Sequence, residues 1–178
     1  ERGWAVEVFL YGDPEKLPPD ARVNYERWRE MGEVAPISDI EPEGLRKTAI
    51  AVDALFGTGL ARPVAPAVWG ALELVLEARV RLIAVDILSG VCADSGRVLA
   101  ESGFIETPAS LTATFERAKP GHVLDAGAAL SGRVRIAPIG LEREIDALLR
   151  GPVSQEVAET TSVSRDQLSK ATGHKFSY

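Results

Sequence analysis

The sequence predicts an α/β fold, a three-layer doubly wound sheet with mostly parallel strands, and three observations carry that reading. Apolar runs of strand length alternate with segments whose apolar residues recur at helical spacing. Thr48–Asp53 is a near-continuous apolar run, the pattern of a central strand covered on both faces. Two such runs end in an aspartate and a glycine-containing turn: Thr48-Ala-Ile-Ala-Val-Asp53 before Ala-Leu-Phe-Gly-Thr-Gly59, and Arg81-Leu-Ile-Ala-Val-Asp86 before Ile-Leu-Ser-Gly90. Ligands of parallel α/β proteins bind beyond the carboxyl ends of the strands, so the paired carboxylates mark a site for a small polar ligand.

The elements follow in order. Trp4 to Tyr11 has the aromatic and β-branched content of a strand, stopped by Gly12-Asp13-Pro14. Asp20 to Met31 is predicted as a helix with Asp20 as N-cap and Gly32 ending it. Glu33 to Ile37 is expected as a short strand, and Glu41 to Lys47 as a short helix or loop. After the Thr48–Asp53 strand, Val68, Leu72, Val75 and Leu76 make Ala65–Ala78 a crossover helix, returning the chain to a parallel strand over Arg81–Ile87. Leu111–Phe115 is a third, short strand, Gly121–Leu130 a small-residue helix, Val134–Ile136 a further strand and Leu141–Leu149 a closing helix. From Gly151 the composition shifts to Thr, Ser, Glu and Lys without periodicity, so residues 1–150 are expected as one domain and 151–178 as a linker and the start of another.

Composition narrows the function. At 178 residues the chain has room for one sizeable core. A formal net charge of −6 argues against a general nucleic-acid binder, and no apolar stretch approaches a membrane span. The single cysteine, Cys92, forms no internal disulfide, fits a reducing, cytoplasmic setting and is expected as a small buried residue. The chain opens at Glu1 without a methionine, and Glu1-Arg-Gly3 resembles a helix end and its glycine cap, so a longer parent is expected.

A strand-end carboxylate beside backbone N–H groups can bind a hydroxyl, hold a cation or move a proton. The Gly57-Thr58-Gly59 turn lacks the lysine of a phosphate-binding Walker loop and the full dinucleotide fingerprint, yet glycines let backbone approach a ligand closely. Taken singly, an aspartate in such a turn is more often a turn former; two on adjacent strands favour a site. Ser89 lacks the flanking residues of a nucleophile elbow, and neither His122 nor His174 has metal-ligand spacing. Lys119 stands equally well as a ligand contact or a solvated cap, and Trp4, Trp28 and Trp69 are expected in core or interface packing.

Three motifs, Val52-Asp-Ala-Leu-Phe-Gly-Thr-Gly-Leu-Ala-Arg-Pro63, Ala84-Val-Asp-Ile-Leu-Ser-Gly-Val-Cys-Ala-Asp-Ser-Gly96 and Thr114-Phe-Glu-Arg-Ala-Lys-Pro-Gly121, closely resemble the NAD(P)HX epimerase domain, also called the YjeF N-terminal domain. Ser162 to Tyr178 resembles the entry to the ribokinase-like dehydratase domain of bifunctional members. The resemblance implies a Rossmann-like sheet lacking its N-terminal strand and helix, and an enzyme that interconverts the R and S epimers of hydrated NADH and NADPH, with an ATP- or ADP-dependent dehydratase as its second half. It further implies that Asp53 and Ser89 help hold a potassium ion, that Gly57, Thr58, Gly59, Leu60, Ala61, Arg62 and Pro63 line the cofactor phosphates, that Asp86 contacts the substrate and serves in acid/base chemistry, and that Lys119 is a further substrate contact. A homodimer is implied as well.

Two departures stand out. The family's Asn-Gly-Gly-Asp-Gly loop would precede Glu1, and the family's Asp-Ile-Pro-Ser-Gly turn is here Asp86-Ile-Leu-Ser-Gly90, which exchanges a residue of fixed φ for a freer one. Both lead to the expectation of weak or absent epimerase activity in this chain alone. A non-catalytic binding module on the same fold is the competing reading, since relatives of this domain resemble scaffolds in mRNA decapping and apolipoprotein binding.

Overall fold

The computed structural model describes residues 3–100 and 108–149. The expected α/β, Rossmann-like architecture is present: every strand pairing within its two sheets is parallel. Strands β1 (Val8–Leu10) and β2 (Val34–Pro36) form a small pair, with helix α1 (Pro19–Arg29) in sequence between them. After the short helix α2 (Pro42–Leu45), strands β3 (Ile50–Asp53), β4 (Arg81–Val85), β5 (Leu111–Phe115) and β6 (Arg133–Ala137) lie side by side in that order in a four-stranded sheet. Helix α3 (Pro66–Glu77) links β3 to β4, helix α4 (Asp125–Leu130) links β5 to β6, and α5 (Glu142–Leu149) follows β6.

Alternation along the strands sorts the sheet into two faces. Leu82, Ala84, Thr112 and Thr114 point to one face and are buried. Val68, Leu72 and Val75 of α3, at helical spacing, join Leu82, Ala84, Ile87, Leu88 and Leu130 in one apolar cluster on that side. Each fully buried Val or Leu there contributes about 1.5–3 kcal/mol by leaving water. Thr112 tolerates burial because its hydroxyl donates to the Ser131 carbonyl at 2.7 Å, and Ser131 in turn donates to Gly127 O at 2.7 Å.

The opposite face corrects one expectation. Thr48–Asp53 reads as a central, two-sided strand, yet β3 pairs with β4 alone among the described residues, and Ile50 and Val52 on its second face are 40% and 61% exposed. An apolar run reports what a strand is suited to bury, whereas α3 supplies cover for one side of it. Strand 4–11 likewise contracts to Val8–Leu10, leaving Trp4 77% exposed and outside any core. Trp28 is half-buried and donates through Nε1 to Glu33 O at 3.1 Å, while Trp69 packs against the main cluster as expected.

Helix α1 starts one residue before Asp20: Pro18 is the N-cap and Pro19 takes the first turn, where a missing N–H costs nothing. The expected helix 121–130 divides into a single 3-10 turn, Pro120–His122, and α4, whose first residue, Asp125, adopts φ 47°. The remaining strand and helix ends fall within a few residues of expectation. Residues 151–178, read as linker and second-domain entry, lie outside the described residues.

Gly90 carries the tightest demand near the core. Its φ is +92°, and a Cβ there would meet the Trp69 ring at 2.6 Å. Gly90→Ala is expected to cost about 2 kcal/mol through strain and overpacking, lowering the melting temperature by roughly 4–8 °C for a chain of this size. Gly70→Ala, inside α3 with open space around it, is the contrasting control and is expected to raise it; calorimetric melts of both variants check the pair.

Candidate active site

Because the sheet is parallel, the chain leaves β3, β4 and β5 along one edge, and the predicted site residues gather there. Asp53 closes β3 and is 4% exposed. Its Oδ1 accepts from the Ser89 hydroxyl at 2.6 Å and from Leu55 N–H at 3.3 Å, while Oδ2 accepts from Ser89 N–H at 2.7 Å. Ser89 is fully buried and its Oγ accepts from Phe56 N–H at 3.1 Å. Ser89 is therefore neither a free turn hydroxyl nor a nucleophile; it latches the β4 turn onto the β3 carboxylate. Leu88, in place of the family's proline, is fully buried in the core cluster, so packing fixes the turn at that position.

Burial pushes the Asp53 carboxyl above its ordinary pKa, outweighing the hydrogen bonds from Ser89 and Leu55. Among the described residues no Lys, Arg or His side chain pairs with it. A buried carboxylate without counter-charge, beside the Ser89 hydroxyl oxygen, has the oxygen-donor chemistry that suits a hard cation. No cluster of three or more His, Cys, Asp or Glu suited to a transition metal occurs among the described residues.

Asp86 is held by the opposite electrostatics. Its Oδ1 lies 2.6 Å from Lys119 Nζ and accepts from the Thr114 hydroxyl at 3.0 Å, while Oδ2 accepts from Thr58 N–H at 3.2 Å. Lys119 Nζ also donates to Thr114 Oγ1 at 2.7 Å and to Phe115 O at 3.0 Å. Burial alone raises the Asp86 pKa, but hydrogen bonds from Lys119 and Thr114, the Lys119 charge and the Thr58 N–H together hold it below the usual carboxylate range. Lys119 is thus the ion-pair partner of Asp86, not a solvated cap; the Lys119 and Asp86 side chains are 19% and 16% exposed.

The backbone is shaped for this contact. Asp86 has φ +69°, and Ile87 N–H donates to Val85 O across it at 2.9 Å, an i to i+2 turn that non-glycine residues rarely adopt. Gly57 faces the carboxylate, where a Cβ would stand 3.0 Å from Asp86 Oδ2. In the following loop Leu55, Phe56 and Thr58 N–H are committed to Asp53, Ser89 and Asp86. Among the described residues the N–H groups of Gly57 and Gly59 have no protein acceptor and are available to an anion. Leu60 packs against the core, whereas Ala61, Arg62 and Pro63 are exposed along the path to α3, and among the described residues none of the three forms a hydrogen bond or ion pair with either carboxylate.

Two participants escape a reading of single residues. Thr114 sits in a strand whose alternation explains its burial, and its bond to Asp86 is invisible without the register of β4 and β5. His122, 3% exposed, accepts from Lys119 N–H through Nδ1 at 3.0 Å and lies 2.8 Å from Asp86 O through Nε2. The available signal was Lys119-Pro-Gly-His122, the spacing of a capping box with histidine at its third position.

With this geometry in view, the comparison with known sequences is specific. The family model described as YjeF-related protein N-terminus matches residues 1–121. The chain belongs to this family. Among YjeF-related relatives it is 40% identical over 141 residues to the NAD(P)H-hydrate epimerase of Rhodobacter capsulatus, covering 79% of this chain and 63% of that protein. It is 37% identical to the bifunctional NAD(P)H-hydrate repair enzyme Nnr of Vibrio cholerae, covering 79% of this chain and 27% of the relative. The Nnr of Moorella thermoacetica is 32% identical over 186 residues, 99% of this chain and 34% of its own length. The chain therefore spans less than two thirds of each of these relatives.

The ion pair can be tested apart from any activity. A carboxyl whose folded pKa is depressed adds stability above its unfolded value, about 3.9, and loses it as pH falls through the folded value. Lys119→Met removes the lysine's share of that contribution and leaves burial opposed only by the Thr114 and Thr58 hydrogen bonds. The Asp86 carboxyl is then expected to titrate higher by carbon NMR, and the stability difference from wild type to be largest at neutral pH and to shrink on acidification.

Proposed function

We propose that the intact protein interconverts the R and S epimers of hydrated NADH and NADPH, with Asp86 and Lys119 as its acid/base pair and Asp53 and Ser89 as ligands of a potassium ion. The observation that carries the reading is the shielded Asp86–Lys119 ion pair on the carboxyl edge of a YjeF-related domain. The activity for which the Rhodobacter capsulatus relative is named, NAD(P)H-hydrate epimerase, supplies the substrate class.

Epimerisation at the hydrated ring carbon needs no net reactant. Whether the carbon–nitrogen bond opens and recloses or the hydroxyl leaves and returns, one group must take a proton as another gives one, and the exchange reverses on the second face. The ionised Asp86 can accept the proton and the Lys119 ammonium can donate one, 2.6 Å apart. Return of the proton from the Asp86 carboxyl to the Lys119 amine, across their direct contact or through the Thr114 hydroxyl that bonds both, restores the starting protonation. The free N–H groups of Gly57 and Gly59 are suited to the pyrophosphate, and the exposed Arg62 to its outer charge. A potassium ion at Asp53 would compensate the buried carboxylate and fix the Ser89 turn that precedes the ligand.

A homodimer, a cytoplasmic setting and a second, ATP- or ADP-dependent dehydratase domain beginning near residue 162 complete the proposal. The match of the bifunctional Moorella protein along 99% of this chain supports the last point. No helix among the described residues is long and apolar enough to cross a membrane.

Asp86→Asn is expected to lower the rate of epimerisation of hydrated NADPH by at least 100-fold, within the usual contribution of general acid–base catalysis; chiral chromatography of the two epimers measures it. Parity between this variant and a distant surface substitution would sink the enzymatic reading in favour of a ligand-binding module. Potassium is expected to raise the melting temperature more than lithium at equal ionic strength, by up to about 2.7 kcal/mol of stabilisation at 100 times its dissociation constant. Asp53→Ala should abolish that difference, and an equal response to both cations would remove the ion from the proposal.

A further inference from the structure

We propose that His122 is a positioning residue for the reacting pair, one imidazole that ties the main chain of Asp86 to the main chain of Lys119 and thereby sets how carboxylate and ammonium meet. The inference rests on the reading of Asp86 and Lys119 as the acid/base pair and extends it to a residue that touches neither reactive group.

The bonding pattern fixes the tautomer. Lys119 N–H can only donate, so Nδ1 of His122 must be the unprotonated nitrogen and Nε2 must carry the proton it offers to Asp86 O. Burial lowers the His122 pKa, chief among the influences on it, which keeps the ring in this neutral form. Both ring nitrogens are thus spent on backbone atoms of the two partners, 36 and three residues away.

Each end of the strap needs it. Asp86 occupies a left-handed conformation, φ +69°, where the direction of its side chain follows the orientation of its own peptide group. Its N–H is fixed by Ala113 O at 2.8 Å, and its carbonyl is fixed by His122. Lys119 precedes a 3-10 turn whose position is dictated from behind: Gly121 N–H donates to Ala93 O at 2.6 Å, and a Cβ on Gly121 would overlap Cys92 O at 2.3 Å. The imidazole therefore links a strained strand end to a turn pressed against the 92–93 backbone. Nothing else in the described hydrogen-bond network joins the two main chains directly.

The experiment separates the two ring bonds. His122→Asn keeps an acceptor placed like Nδ1, and His122→Gln keeps a donor placed like Nε2. In the intact protein, both folded variants are expected to lose about 10- to 100-fold in kcat with KM changed less than threefold, the cost of a small misplacement. The Asp86 carboxyl should titrate higher in both by carbon NMR, and either change combined with Asp86→Asn should add little further loss. In the wild-type protein, a nitrogen–nitrogen coupling between Lys119 N and His122 Nδ1 across the hydrogen bond is expected, which needs no variant to fold. An unmoved Asp86 titration with kcat within twofold in a folded variant, or an absent coupling, would overturn the inference. If wild type turns over no hydrated cofactor while the coupling and the Asp86 shift are seen, the epimerase reading fails and the positioning role stands.

Discussion

The contact between Asp86 and Lys119 organises the whole carboxyl edge of the sheet, because one carboxylate gathers donors from three separate stretches of chain. Lys119 comes from the turn after β5, Thr114 from β5 itself and Thr58 from the loop after β3. Each contact restricts another part of the fold. The approach of Thr58 is eased by glycine at position 57, where a Cβ would crowd Asp86 Oδ2 at 3.0 Å, and the carboxylate is aimed from a left-handed Asp86. The turn carrying Lys119 requires Gly121 against the Cys92 and Ala93 carbonyls. Removing one partner of a shielded ion pair leaves the other charged and poorly solvated, so the pair is costly to break even though its formation yields little net stability.

The strained strand end is used twice, and the repetition explains its origin. Glu116 follows β5 with φ 60°, and Arg117 N–H donates to Phe115 O at 2.7 Å across it, as Ile87 N–H does across Asp86. In both cases the N–H of the acidic residue bonds to the next strand: Asp86 to Ala113 O and Glu116 to Ala137 O, at 2.8 and 2.9 Å. A sheet hydrogen bond thus continues one residue beyond the regular strand while the chain turns sharply out of it. Glu116 uses the resulting direction to accept from Ile139 and Leu141 N–H, anchoring the loop before α5. Asp86 uses it for Lys119. The same backbone device serves structure at one strand end and candidate chemistry at the next.

The fold was legible where period and punctuation agree. Leu111–Phe115 stands in the structure with the bounds read from the sequence, and the α3 stripe of Val68, Leu72 and Val75 faces the core as its spacing requires. Asp53 and Asp86 stand out in the sequence because strand ends in a parallel sheet converge whatever the details of packing, whereas Ser89 enters only through the family resemblance. What escaped was the consequence of convergence. The bond from Thr114 to Asp86 depends on strand register, and the strap from His122 depends on a turn folded against residues some 30 positions earlier. The two-sided cover read for β3 failed for a different reason: an apolar run describes a strand's preference, and the partner that satisfies it is a property of the surrounding chain. The second domain entry lies outside the described residues.

Two aspartates of identical chemistry, on adjacent strand ends, finish with opposite charge behaviour. Asp86 is paired with a lysine and titrates low, so it contributes stability above the unfolded carboxylate value that disappears as pH falls through its folded value. Asp53 is buried without a cationic neighbour and titrates high; the protein favours its protonated form, and that contribution is lost as pH rises through the folded value. Ionising Asp53 at neutral pH therefore works against folding unless positive charge arrives from outside the described residues. An oxygen-coordinated cation would reverse this balance, converting a buried liability into a clamp on Ser89 and the loop 55–58. The protein's own lysine thus completes one carboxylate, while among the described residues the other is held by hydrogen bonds from Ser89 and Leu55.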